Sequence, residues 1–378
     1  MYSKRLFLLL YFFAIIIFIT HFFILKTAVY GDGRYYYSYL PSLLIENSFD
    51  FTNSFKSLNI TYFLTPLGLP ANIYPIGPAI IWTVPFLFSH FILFPFGIND
   101  GYNFFYQIII GAWNIGLVIL GLFFLQKTLA KFVSEKIAFA STITTFFATN
   151  LLFYGAVDVI NSHSSSFFLS SLFLYLWIHN KSTFLIGVVL GILALVRPQD
   201  ALLIIFPFST LLILKQKYLM KFLTLCISSV IIFSPQLFIW KNTWGNWYVN
   251  PYLNVETFNF LSPQIFGVLF NKGNGLFLWT PILIFAFLGL IKFTSKYRKI
   301  GFPALIFFSS QLYLISSWSI WWQGASYSGR MFISSLPILS IGLAYFFSLK
   351  RIKKFRLSIA VFFSLLNFFL IIYFLLNN

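Results

Sequence analysis

Only eight of the 378 residues are acidic, so each carboxylate is a candidate for chemistry and few compete with it. Asp32 stands in Gly31-Asp32-Gly33-Arg34, just after the first apolar run and ahead of three consecutive tyrosines. A carboxylate held there, at the depth of lipid headgroups, can accept a proton from an alcohol. The plainer role is the turn that Asp-Gly makes. Asp50 follows in Ser48-Phe49-Asp50-Phe51, and Tyr154, Asp158, Asn161 and His163 fall within ten residues of one another. A carboxylate beside an imidazole can bind a divalent cation or position an acceptor hydroxyl. The spacing is no metal motif, and capping of helix ends is the structural alternative. Arg197 in Val196-Arg197-Pro198-Gln199-Asp200 and Arg330 at the end of Gly324-Ala325-Ser326-Tyr327-Ser328-Gly329-Arg330 each offer a planar fork that matches a phosphate. Snorkelling to headgroups would explain either arginine without chemistry, as would an ion pair of Arg197 with Asp200. Trp318, Trp321 and Trp322 read as an interfacial belt, although aromatic faces also stack on sugars. His21 and His90 read as structural.

The elements that must position these residues are membrane helices. The chain is 59% apolar and 9% charged, and its apolar runs reach the roughly 20 residues that cross a hydrocarbon core of about 30 Å. Helices are expected at about 6–25, 102–126, 137–155, 165–180, 183–197, 200–214, 222–240, 276–292, 301–317, 332–349 and 357–376, which is about eleven crossings of an all-α polytopic protein. The first run follows Lys4 and Arg5 without a small-residue cleavage site, so it reads as a retained helix with a cytoplasmic N-terminus.

The run from Pro75 to Phe96 is long enough to cross but holds four prolines and His90. Charge decides its reading. If it lies along the outer interface, the lysine and arginine clusters at 127–136, 215–221, 292–299 and 350–356 all fall inside, and Glu135 is the one acid that joins them. If it crosses, everything after it inverts. The net charge of +17 therefore reports orientation rather than nucleic-acid binding. Two long outward segments result, at 26–101 and 241–275, within a single membrane domain spanning 1–378 that shows no internal repeat. The lone Cys226 can form no intrachain disulfide and lies within an apolar run.

Taken in order, Gly31-Asp32-Gly33 after the first helix, Tyr74-Pro75-Ile76-Gly77-Pro78, Ser162-His163-Ser164, Arg197-Pro198 and Ser328-Gly329-Arg330 with Pro337 resemble the multi-spanning glycosyltransferases of the GT-C fold. The bacterial members similar to protein mannosyltransferases and aminoarabinose transferase look nearest. That resemblance implies a polyprenyl-phosphate sugar donor used on the periplasmic or lumenal side, with a bacterial inner membrane the expected home, a catalytic acid in the first outward loop, and juxtamembrane helices along the interface. It places Asp32 as the catalytic residue. Many relatives carry an Asp-Glu pair where this chain has Asp32-Gly33. The expected mechanism is single displacement with inversion: Asp32 serves as base toward a hydroxyl on a lipid, glycan or protein acceptor, Arg330 and Arg197 receive the departing phosphate, and Asp50, Asp158 and His163 position the acceptor. A divalent cation is compatible with the carboxylates but required by none of them. The rival from another class is a transporter or flippase for a lipid-linked sugar, which would need polar residues near the bilayer midplane; a scaffold would leave the outward acids without a role.

Overall fold

The computed structural model describes residues 2–254 and 256–377. The fold is helical, and among the described residues only isolated bridges, Leu64 with Pro70 and Phe258 with Trp318, stand in for β-structure. The first third comprises α1 (Tyr2–Leu25), α2 (Gly33–Leu44), α3 (Thr52–Ser57), α4 (Gly77–Leu93), α5 (Phe104–Leu129), α6 (Glu135–Phe147) and α7 (Leu151–Ala156). The middle comprises α8 (Ser162–Ile178), α9 (Thr183–Val196), α10 (Ile205–Leu214) and α11 (Gln216–Trp244). The remainder comprises α12 (Ile265–Phe270), α13 (Leu276–Trp279), α14 (Ile282–Lys296), α15 (Arg298–Ser317), α16 (Leu336–Ser348) and α17 (Arg356–Asn377).

Among the described residues, seven helical segments are long and apolar enough to cross a membrane: 5–25, 77–96, 104–129, 216–244, 298–317, 330–348 and 356–377. Their outward faces are apolar too. Leu9, Ile16 and Phe23 on α1, Ile227, Val230 and Ile231 on α11, and Leu357 and Phe369 on α17 are all exposed, which in a chain of this composition marks a lipid-facing surface. The protein is thus a helical integral membrane protein.

Several runs expected as single helices are broken. The 137–155 run divides into α6 and α7 around 148–150, and 276–292 divides into α13 and α14 at Thr280 and Pro281. Three-ten turns at 198–204 and 330–335 precede α10 and α16. A break inside a membrane protein needs substitute partners for the freed backbone groups. Asn367 of α17 supplies them at the first break, its Nδ2 donating to the carbonyls of Phe147 (2.8 Å) and Thr149 (2.9 Å). Elsewhere small residues let helices close on one another: a Cβ at Gly289 would lie 2.1 Å from the Gly342 carbonyl oxygen, the close approach that membrane helix pairs favour.

The 77–96 segment is long and apolar enough for a crossing, as its sequence run already was. Its packing shows where it lies relative to α5. Trp82 donates to Asn114 (2.8 Å), while His90 bonds the Tyr106 hydroxyl (2.9 Å), so α4 runs antiparallel to the first half of α5. Its start abuts Leu195 and Val196 at the end of α9. The second half of α5, with Lys127 in its last turn, meets α1 and α8 through Phe7 with Phe123 and Tyr175 with Phe124.

Candidate functional site

The ends of α9, α11 and α15 meet the beginnings of α2, α8 and the 330–335 turn around a cavity of about 380 Å³. Glycine sets the position of Asp32 within it. Gly31 adopts φ +52°, and Gly33 touches the Ile160 carbonyl so closely that a Cβ would sit 2.1 Å from its oxygen. The Asp-Gly turn is what brings Asp32 against the 157–161 loop. Asp32 occupies the N-cap position of α2 but makes no capping bond. Its carboxylate turns instead to Arg330 Nη1, 2.7 Å from Oδ2, and accepts the Tyr74 hydroxyl on Oδ1 at 2.9 Å.

Arg330 is held from behind by a buried polar frame. Asn150 donates to the Gly329 carbonyl (3.2 Å), Tyr154 to the Tyr327 carbonyl (3.0 Å), and Tyr327 in turn to Asn367 Oδ1 (2.7 Å). The breaks in α6–α7 and before α16 thus serve the site, since they free the groups that grip the arginine loop. Arg197, 5% exposed, donates from Nη1 to His163 Nδ1 at 3.0 Å and from Nη2 to the Met331 sulfur. His163 Nδ1 is consequently an acceptor, which fixes a neutral imidazole protonated on Nε2. Arg197 makes no ion pair with Asp200; Ser166 donates to that carboxylate at 2.5 Å.

Four of the six residues singled out from sequence, Asp32, His163, Arg197 and Arg330, line the cavity. Asp158 does not. It lies behind the Asp32–Arg330 pair, and its carbonyl accepts Asn161 Nδ2 at 2.9 Å, while Asn161 caps α8 through the His163 amide. Burial, reinforced by the nearby Asp32 carboxylate and opposed by Arg330, lifts the Asp158 carboxyl from the usual 3.8 to about 7. Asp50 is a clear correction. It is exposed, stands apart from the cavity, and closes a local turn by accepting the amide (2.9 Å) and hydroxyl (2.6 Å) of Thr52.

Sequence reasoning passed over other residues of the site. Glu256, on the 241–275 segment, faces the cavity and accepts Trp318 Nε1 at 2.6 Å. Trp318 therefore belongs to the cavity wall, whereas Trp321 packs on Gly267 and Trp322 is exposed. Gln236 lines the cavity and accepts the Ile76 amide (2.9 Å), tying α4 to α11. Nothing local distinguishes Glu256 or Gln236; the one available signal was that an acid or amide in so apolar a chain needs a partner. Among the described residues no three His, Cys, Asp or Glu side chains gather in a way that could hold a metal ion.

The cavity lining is mixed: Asp32, Arg197, Arg330 and Glu256 supply charge, and Phe233 and Trp240 of α11 with Leu314 and Ile315 of α15 supply an apolar wall. Such a site suits a ligand with an anionic or polar head and an apolar body. Comparison with protein-family models, curated proteins and solved structures finds no match to this chain.

Proposed function

We propose that the protein is a GT-C-like membrane glycosyltransferase that moves a sugar from a polyprenyl-phosphate donor to a hydroxyl acceptor, with inversion. The observation that supports this reading most is the meeting of Asp32, Arg330 and Arg197 in a cavity that is also lined by the apolar side chains of α11 and α15. The apolar wall between α11 and α15 takes the first isoprene units of the donor, and the two guanidinium groups take its phosphate. Phosphate oxygens compete with Asp32 Oδ2 for Arg330 Nη1, so arrival of the donor releases the carboxylate. Asp32 then accepts the proton of the acceptor hydroxyl, whose oxygen attacks the anomeric carbon. The bond from that carbon to the phosphate oxygen breaks, and polyprenyl phosphate departs with the electron pair. His163 holds Arg197 in place, and Asp158 adjusts the charge around the ion pair.

In this reading α4 is a juxtamembrane helix beside the site. The eleven crossings are α1, α5, α6 with α7, α8, α9, 198–214, α11, 276–296, α15, 330–348 and α17, with the site facing the periplasm of a bacterial inner membrane and the basic clusters facing the cytoplasm. The acceptor is a lipid, glycan or protein hydroxyl.

The test is release of polyprenyl phosphate from radiolabelled polyprenyl-phosphate sugars by the purified protein, beside Asp32→Asn, with membrane extract supplying acceptor. Loss of the base should lower release by about 10²- to 10⁴-fold. Near-normal release from the variant sinks the assignment of Asp32. Donor binding without release from either protein points to a lipid-linked sugar transporter.

A further inference from the structure

Glu256 is a carboxylate without a cation. The Asp32–Arg330 pair is the one salt bridge among the described residues, and among those residues the one side-chain donor to the Glu256 carboxylate is the Trp318 indole, on Oε2. Burial raises its carboxyl above the ordinary range, the Trp318 bond opposing that rise. A half-buried carboxylate with spare acceptor capacity calls for N–H or O–H donors from a ligand.

Its surroundings narrow the ligand. Tyr248, Tyr252, Phe258 and Trp318 line the same cavity, with Asn250 as an amide among them. Flat aromatic faces beside a carboxylate and an amide match a saccharide, which presents C–H groups on its ring faces and hydroxyls around its edge. The segment that carries Glu256 is also built to hold a fixed geometry on one side. The Asn259 and Gln264 amides bond the Ser317 and Ser316 carbonyls at 2.6 and 2.7 Å, and Ser319 bonds the Thr257 carbonyl at 2.8 Å, which staples residues 257–264 to the end of α15.

We infer that Glu256 and Trp318 form a saccharide subsite, in which Glu256 accepts hydroxyls of the sugar ring while Trp318 fixes the carboxylate and the surrounding aromatic residues cover the ring face. This rests on the glycosyltransferase reading for its place in the reaction, as the pocket for a sugar next to the phosphate-binding arginines, but the binding itself needs no turnover. Glu256 is then a positioning and specificity residue, distinct from the Asp32 base.

The experiment is saturation-transfer NMR titration of methyl glucoside, mannoside and galactoside, with methyl 2-amino-2-deoxyglucoside alongside. The protein is held in lipid nanodiscs free of glycoside detergent. Glu256→Gln should weaken binding of the preferred neutral glycoside about tenfold, the scale of one charge-assisted hydrogen bond. Trp318→Phe, which keeps a ring but lacks the N–H, should weaken it less, and both variants should keep the parent's melting temperature. Absence of glycoside binding by the parent, equal binding by Glu256→Gln, weakening matched by a fall in melting temperature, or a Glu256-dependent preference for the amino sugar would each overturn the inference. Polyprenyl phosphate release in the same preparation separates the two readings. Release without glycoside binding removes the subsite and leaves the transferase standing, whereas Glu256-dependent glycoside binding without release does the reverse.

Discussion

The two long segments between helices, 26–101 and 241–275, each deliver one carboxylate to the same cavity, but they hold it differently. Asp32 sits on a buried base: Tyr36, Tyr37 and Tyr39 of α2 are enclosed, their hydroxyls bonded to Ser162, the Gly101 carbonyl and the Tyr74 carbonyl. Both of its oxygens are taken, by Arg330 and Tyr74. Glu256 hangs from a strap stapled to α15 on one side and is held by a single indole. A group that must face a reacting atom gains from rigid support, while a group that accommodates a ligand of variable shape gains from a looser one. In the proposed transferase this contrast assigns Asp32 to the reaction and Glu256 to recognition.

The largest effect should come from removing the Asp32 carboxylate, as set out above. Next in size is Arg330→Lys, which keeps the charge and loses the fork. Donor affinity should fall about 10- to 100-fold, measured by binding of polyprenyl phosphate to the nanodisc-held protein. Unchanged affinity would make Arg330 only the counter-ion of Asp32.

Asp158 allows the surroundings of the Asp32–Arg330 pair to be probed by pH. A carboxyl whose folded-state value is raised from 3.8 to about 7 binds its proton more tightly in the folded protein, so its contribution to stability is fully present at low pH. That contribution is lost as pH rises through the window between those two values. Asp158→Asn should therefore gain thermal stability over the parent as pH is raised from 5 to 8, with little further change above that. A difference independent of pH would mean that the raised value has no part in stability.

The smallest effect belongs to Asp50→Ala. Loss of its turn with Thr52 should cost about 1 kcal/mol or less and leave polyprenyl phosphate release as it was. A large loss of release would bring Asp50 back into the site and break the assignment of the first segment's chemistry to Asp32 alone.

Much of the helical framework was legible because apolar run length and the placement of lysine clusters are local properties, and a lipid environment leaves the backbone little choice but helix. The runs at 102–126, 222–240 and 301–317 appear as α5, α11 and α15 with somewhat different ends. Breaks at 148–150 and 280–281 were not legible, since what permits the first is Asn367, more than two hundred residues away.

The sequence by itself determined a helical membrane protein and singled out Asp32, His163, Arg197 and Arg330, because charged residues are rare enough in this chain for each to stand out. Tertiary structure alone decided that Asp32 pairs with Arg330, that Arg197 leans on His163 rather than Asp200, that Asp50 closes a local turn, and that Glu256 shares the cavity. Those outcomes depend on which helix ends meet. Asp32 and Arg330 lie some three hundred residues apart in the chain, and only the close approach at Gly33 and the buried frame behind Gly329 bring their side chains together.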